Sequence, residues 1–176
     1  MAFSDPQKIL EQFGLHEGQV VADLGAGSGF YSLTAARMVG GAGRVYSVDV
    51  QEDLLSKIKN TARQGRLLNV EVVHGDMEKQ GGTRLREQCA DAAIASNVLF
   101  QIEQKDDFMD EVKRILKPSG RLLLVDWTDS FDGMGPQAEQ VINQVDAKAL
   151  AEKHGFSYVT ALDAGDNHYG LVFRKN

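Results

Sequence analysis

The sequence predicts an α/β fold, a three-layer sandwich in which a mostly parallel sheet is covered by helices on both faces. Helical and strand patterns alternate along the chain with short breaks between them, which is the signature of that architecture. An apolar strand runs straight into a loop with glycine at every second position, Val20-Val21-Ala22-Asp23-Leu24-Gly25-Ala26-Gly27-Ser28-Gly29, and a helix follows at once. The 176 residues suit one domain with a substantial core. No repeat, low-complexity segment or linker divides them, so residues 1–176 are read as a single domain.

Ser4-Asp5-Pro6 opens a first helix, with Pro6 in the first turn, and Gly14 ends it. After the glycine loop, Phe30–Val39 is apolar enough to pack a helix on the sheet, and Gly40-Gly41-Ala42-Gly43 turns into a second strand, Arg44-Val45-Tyr46-Ser47-Val48-Asp49. Glu52–Gln64 is amphipathic, with Leu54, Leu55 and Ile58 on one side. A third strand runs from Val70 and a fourth from Ala90. Residues 106–116 repeat the amphipathic pattern through Phe108, Met109, Val112, Ile115 and Leu116, before Pro118 and Gly120 force a turn into a fifth strand ending at Trp127. Residues 128–137, with Gly133, Gly135 and Pro136, read as a loop and a candidate lid. Residues 145–154 form the last helix, closed by Gly155, and residues 156–162 and 169–174 are the final strands.

Glycine populates positive φ without strain and has no Cβ, so the loop after the first strand can turn sharply and lie against a bound molecule. Its G-x-G-x-G spacing differs from the G-x-G-x-x-G that sets a pyrophosphate on a helix N-terminus. Asp23 also argues against a diphosphate, since a carboxylate there repels phosphate and attracts an ammonium or sulfonium. The formal net charge of -6 disfavours a nucleic-acid substrate. Cys89 is the single cysteine, so no internal disulfide and no cysteine-based metal site is expected; at the start of an apolar strand it reads as a small buried residue. No apolar run approaches the length of a membrane span and the N-terminus does not read as a signal sequence, so a cytoplasmic protein is expected.

Asp23-Leu24-Gly25-Ala26-Gly27-Ser28-Gly29 resembles the first motif of class I S-adenosylmethionine-dependent methyltransferases. The later motifs follow in order: Asp49 ends the second strand, Asp76-Met77 follows the third in Val70-Glu71-Val72-Val73-His74-Gly75-Asp76-Met77, Ala90-Asp91-Ala92-Ala93-Ile94-Ala95-Ser96-Asn97-Val98-Leu99 matches the fourth, and Lys117-Pro118-Ser119-Gly120 leads into the fifth strand. The match covers Val20 to Trp127 and is similar to the quinone-biosynthesis type of small-molecule methyltransferase. It implies a Rossmann-like, seven-stranded sheet whose last strand runs antiparallel between the fifth and sixth. It also implies S-adenosyl-L-methionine as cofactor, held by Asp23, Gly25, Gly27, Gly29, Asp49, Asp76, Met77 and Asn97. A carboxylate at Asp49 suits two adjacent ribose hydroxyls; the alternative is a helix cap. Asp76 lies near the adenine or marks a turn, and Asn97 serves the ligand's amino-acid end or caps the next segment.

Ligands of open α/β sheets bind beyond the carboxyl ends of the parallel strands. An antiparallel last strand has its start there, which brings Asp166-Asn167-His168-Tyr169 towards the transferred methyl group. His168 is the candidate general base, with Asp126 and Asp129 behind it; the plain alternative is an exposed loop histidine. His16 and His74 are poorer placed. Tyr31, Trp127 and Tyr169, with Phe30 and the Gly133-Met134-Gly135-Pro136 segment, are candidate walls of the acceptor pocket. In-line methyl transfer needs alignment and exclusion of water and requires no metal. Ser96-Asn97-Val98-Leu99 lacks the Pro-Pro-aromatic run of base and amide methyltransferases, so a small-molecule acceptor is expected, or a partner completes the site. The rivals are a non-catalytic S-adenosylmethionine-binding subunit and an NAD-dependent oxidoreductase.

Overall fold

The computed structural model describes residues 4–131 and 133–176; Met1, Ala2, Phe3 and Asp132 lie outside the described residues, and with them the extreme N-terminus and one position of the expected loop. Helix α1 (Pro6–Phe13) is capped by Asp5, whose Oδ1 accepts from the Gln7 backbone N–H at 3.0 Å, and it is closed by Gly14 at φ 74°. There follow β1 (Val20–Leu24), α2 (Phe30–Val39), β2 (Arg44–Asp49), α3 (Glu52–Gln64), β3 (Val70–His74), β4 (Ala90–Ser96), α4 (Lys105–Ile115), β5 (Leu116–Trp127), α5 (Gln144–Lys153), β6 (Phe156–Leu162) and β7 (His168–Lys175). Every expected element is present. Two short 3₁₀ turns, Leu99–Gln101 and Ala138–Gln140, go beyond the sequence reading. The turn forced by Pro118 and Gly120 is a bulge: pairing jumps from Ala90↔Leu116 to Ala92↔Arg121, with Ser119 at φ 60°.

The seven strands form one sheet in the order β3-β2-β1-β4-β5-β7-β6. Strands β1 to β5 are mutually parallel, and β7 runs antiparallel to both of its neighbours, β5 and β6. Strand order reverses between β1 and β4, and the crevice of an open α/β sheet lies at that reversal. Leu122, Leu123, Leu124 and Val125 are all buried, as a central parallel strand covered on both faces requires. Leu24, Val48 and Leu124 pack with Phe108, Met109 and Val112 of α4, whereas Val21, Val45 and Val125 pack with Leu10 and Phe13 of α1 and Ala36 and Val39 of α2. Among the described residues no helix is long and apolar enough to cross a membrane.

The segment after β3 is tied to α4 by a buried carboxylate. Glu111 accepts from the Gly81 N–H at 2.8 Å, from the Thr83 hydroxyl at 2.5 Å and from Arg114 Nε and Nη2 at 2.7 Å each. Burial pushes its pKa up, but the Arg114, Thr83 and backbone bonds outweigh it and hold the group at about 2, below the ordinary 4.5. A folded-state pKa below the unfolded one gives stability that is present above pH 4.5 and lost as pH falls towards 2. Glu111→Gln is therefore expected to cost about 3 kcal/mol in urea unfolding at pH 7, because Arg114 loses its buried partner. The gap to wild type should narrow when the same unfolding is measured at pH 3; a gap that stays constant with pH would disprove the linkage.

Candidate functional site

The loop after β1 comes so close to its neighbours that side chains have no room. Gly25, Gly27 and Gly29 take φ values of 72°, 53° and 81°. A Cβ on Gly25 would lie 2.3 Å from Val98 Cγ2, and one on Gly29 would lie 2.6 Å from Ile58 Cγ1. Gly27 differs: the nearest heavy atom to its Cβ position is Gly25 O at 3.9 Å, and the vacant space belongs to a cavity. That cavity, about 810 Å³, falls in the usual range for a small-molecule site. It opens at the carboxyl ends of β1 to β4, and Phe30, 70 % exposed, stands at its lining.

The cavity brings together Gly25, Gly27, Tyr31, Asp49, Asp76, Met77 and Asn97 of the expected set. Asp49 is 6 % exposed; its Oδ2 accepts from the Gly27 N–H at 3.0 Å and its Oδ1 from the Gln51 N–H at 2.9 Å. Each oxygen keeps further lone-pair capacity for a ligand hydroxyl, so the capping geometry and the ligand-facing geometry coexist. Asp76 accepts from the Glu78 N–H at 3.0 Å and pairs with Lys79 at 2.7 Å; the Lys79 bond holds its pKa below the ordinary value. Met77 is buried and supplies apolar wall. Asn97 sits at φ 55° and donates its N–H to Val125 O at 2.8 Å, a left-handed backbone that asparagine tolerates better than most residues.

Three polar atoms on this lining are buried without a partner: Tyr31 Oη, Ser96 Oγ and Asn97 Oδ1. Ser96 and Ser4 stand beside the Tyr31 hydroxyl without meeting hydrogen-bond geometry, and burial raises its pKa. Buried polar groups are normally paired, so a run of three orphans along one wall marks where a polar ligand belongs.

Other expected residues lie outside this cavity. Asp23 is 2 % exposed beneath the loop and accepts from the Ser32 hydroxyl at 2.6 Å, which in turn accepts from Ser47 at 2.7 Å. Burial raises its pKa to about 6 against the lowering effect of Ser32. It fastens α2 to β1 and β2 and does not line the cavity. Gly29 serves packing against Ile58. His168 is no exposed loop residue: it opens β7, is 7 % exposed, and stacks on Trp127 with ring centroids 4.3 Å apart. Tyr169 points to the opposite face, where its hydroxyl is buried and its pKa is pushed up by burial and the nearby Asp126. The start of β7 reaches the same sheet edge beside Trp127 of β5, but neither Trp127 nor His168 lines the cavity; a Cβ on Gly135 would lie 2.8 Å from the Trp127 ring.

Asp126, a weaker base candidate, accepts from the Leu99 N–H at 2.9 Å, the Phe100 N–H at 3.3 Å and the Trp127 N–H at 2.8 Å, and burial lifts its pKa to about 6. It anchors the turn that carries the Val98 and Gln101 side of the cavity. Asp129 is exposed and accepts from its neighbour Ser130. Cys89 is half-buried and burial raises its thiol pKa. Sequence reasoning missed Ser4, Ser96, Glu78 and Gln101 as cavity residues. Glu78 accepts from the Glu103 and Gln104 N–H groups at 2.9 and 2.7 Å, a contact across 25 residues that no local pattern announces.

A profile for the methyltransferase domain matches residues 15–161. The chain belongs to the methyltransferase domain family. Its sequence is 28 % identical over 155 residues to an arsenite methyltransferase of Halobacterium salinarum, covering 81 % of this chain and 38 % of that protein. It is 31 % identical over 116 residues to the ubiquinone/menaquinone biosynthesis C-methyltransferase of Escherichia fergusonii, covering 65 % and 45 % respectively. The chain thus spans less than half the length of these curated relatives. A SAM-dependent methyltransferase from Aquifex aeolicus has a similar structure, with TM-score 0.90, 29 % identity and coverage of 99 % and 91 %. An arsenic (III) S-adenosylmethionine methyltransferase from Chlamydomonas reinhardtii shares the fold, at TM-score 0.72 and 23 % identity.

S-adenosylmethionine is the cofactor of this family, and the cavity of this methyltransferase domain fits it. The orphaned Asn97 carbonyl can accept from an ammonium, and the Tyr31 and Ser96 hydroxyls can donate to a carboxylate, which together complement an amino-acid end. Asp49→Ala is expected to weaken binding of S-adenosylhomocysteine by about 1.5–3 kcal/mol, the range for hydrogen bonds to a charged group. Calorimetry measures it, with urea unfolding alongside, since the Gly27 and Gln51 bonds are lost as well. Unchanged affinity would make Asp49 a cap alone.

Proposed function

We propose that this methyltransferase domain transfers the methyl group of S-adenosylmethionine to a small-molecule acceptor. The observation that supports this reading best is one cavity that holds Asp49, Asp76 and Met77 towards its β2 and β3 side and the orphaned Tyr31, Ser96 and Asn97 atoms towards β4. Asp49 takes the ribose hydroxyls, Asp76 and Met77 border the adenine, and Asn97 with the two hydroxyls receives the amino-acid end. When bound, the cofactor supplies a methyl group already activated by a positively charged sulfur. The chain's own share is to hold the two reactants in line and keep water out. Met77, Leu54 and Val98 provide the apolar wall for that.

The chemistry of the lining bears on the acceptor. Arsenic(III) is a soft, thiol-seeking centre, and the chain's single cysteine, Cys89, does not line the cavity, so the arsenite relative does not carry its acceptor over. The excess of acidic residues disfavours nucleic acid. A small organic acceptor, of the kind implied by the quinone-biosynthesis relative, suits a largely apolar cavity. A binding subunit without turnover is the second reading, and the labelled-methyl assay separates the two.

The purified protein is expected to bind S-adenosylhomocysteine in the presence of EDTA, and Cys89→Ser should leave that affinity unchanged. Calorimetry checks both, and binding of NADH in its place would sink the reading. Transfer of labelled methyl into a pool of small metabolites separates enzyme from binding subunit: incorporation that requires Asp49 supports transfer, and binding without incorporation supports the subunit.

A further inference from the structure

A second cavity, of about 520 Å³, opens at the opposite edge of the sheet from the first. Arg44, which starts β2, and Asn69, which precedes β3, both line it. The first cavity is lined instead by Asp49, which ends β2, and by Asp76, which follows β3. Along β2, Arg44 and Asp49 are about 17 Å apart by strand rise, so the two cavities are separate places. The lining of the second lies wholly within the described residues and holds three arginines, Arg37, Arg44 and Arg66, and no acid. In a chain of formal net charge -6, that local excess of cations needs a partner or a use.

Arg44 has a partner, Glu71 at 2.9 Å, with both side chains more than half exposed. Arg37 and Arg66 are exposed and make no side-chain hydrogen bond or ion pair among the described residues. Helices α2 and α3 both end at this cavity, and helix-end carbonyls are the ordinary partners of such cations. Here other donors take those carbonyls: Asn69 Nδ2 donates to Ala36 O and Gly40 O at 2.8 Å each, Gly18 N–H to Val39 O at 2.8 Å, and Leu67 N–H to Ala62 O at 2.8 Å. Each helix end still presents about half a negative charge, and Glu17 stands beside Gly40, its Cγ 3.4 Å from the place of a Cβ there. Two full guanidinium charges exceed the two helix ends, and the exposed Glu17 is screened by solvent. The Gly41 N–H meets no acceptor among the described residues, and a Cβ on Gly41 would have no heavy atom within 4 Å.

We propose that this second cavity binds a phosphate monoester, with Arg37 and Arg66 on the phosphoryl oxygens, the Gly41 N–H donating to one of them, and the organic part of the ligand against Leu68. The planar guanidinium fork matches phosphate oxygens two at a time, and a backbone N–H in open space adds a donor without a side chain in the way. A phosphate monoester carries about -1.5 to -2 at pH 7, which balances the two unpaired guanidinium groups. A singly charged anion leaves one of them unmatched. Leu68 lines the cavity and is 92 % exposed, so an apolar group attached to the phosphate gains by covering it. The site shares no residue with the cofactor cavity, and the inference stands whether or not methyl transfer takes place there.

Nitrogen-15-labelled protein is titrated at fixed ionic strength with phenyl phosphate, and separately with benzenesulfonate, a singly charged anion on the same ring. Phenyl phosphate should shift the Gly41 amide resonance saturably and bind at least fivefold tighter than benzenesulfonate. Arg37→Gln and Arg66→Gln should each weaken phenyl phosphate at least fivefold, with urea unfolding midpoints close to wild type because both side chains are exposed. Arg86→Gln, at an exposed arginine outside the cavity, should leave binding within twofold. Phosphatidylcholine vesicles carrying phosphatidic acid, a monoester, or phosphatidylglycerol, a diester, separate the sources of the phosphate. Sedimentation with phosphatidic acid alone, abolished by Arg37→Gln, upholds the site with a lipid headgroup as its ligand, and phenyl phosphate binding without sedimentation upholds it with a soluble one. No saturable shift at Gly41 overturns the site. Equal affinity for benzenesulfonate overturns the phosphate class, and a loss in Arg86→Gln as large as in Arg66→Gln reduces the effect to general surface charge.

Discussion

The closeness of the loop after β1 to its neighbours is the constraint on which the ligand edge depends. With Val98 against Gly25 and Ile58 against Gly29, the post-β4 segment and α3 both close onto the loop, and the cavity is what remains around Gly27. The Asp49 carboxylate then locks the arrangement by accepting from Gly27 and Gln51. Glycine is needed here for two separate reasons, positive φ and absent volume. Only at Gly27 is the absent volume left open to the cavity.

Three buried carboxylates frame the site and behave differently because their partners differ. Asp23 has the Ser32 hydroxyl, and Asp126 has three backbone N–H groups and a weaker pull from Lys105; in both, burial outweighs these and leaves the carboxyl at about 6. Glu111 has Arg114 beside it and falls to about 2. Each of them joins segments that lie far apart in sequence: Asp126 fixes the turn after β4, Asp23 fixes the start of α2, and Glu111 fixes the segment after β3. Buried polar groups of this kind are structural joints at the rim of the cavity, whereas Asp49 and Asp76 line it.

The polar groups at the cavity and at the start of β7 are held in opposite ways. Around Asp49 the polar atoms are already held by backbone donors, so the geometry is set before a ligand arrives. Around His168 the polar atom is buried without a partner, beneath the Trp127 ring. The order of the sheet produces this division, since β1 to β4 end at the cavity whereas β7 begins at the same edge behind Trp127.

The sequence by itself determined the alternating α/β pattern, the antiparallel place of the last strand through its resemblance, and the cavity-lining residues Gly25, Gly27, Asp49, Asp76, Met77 and Asn97. These are legible because they sit at fixed offsets from strand ends, and strand ends are where apolar runs stop. Tertiary structure decided what Asp23, Gly29, Trp127, His168 and Tyr169 do. Whether an acid at a strand end faces a ligand or lies beneath it depends on Ser32 and Ser47 folding over it. Whether an aromatic at an edge lines a cavity or closes it depends on which segment covers it, and that is set by contacts such as Gly135 on Trp127. Ser96 and Glu78 became site residues by the same route, because the groups that complete them arrive from strands and turns whose proximity no local pattern encodes.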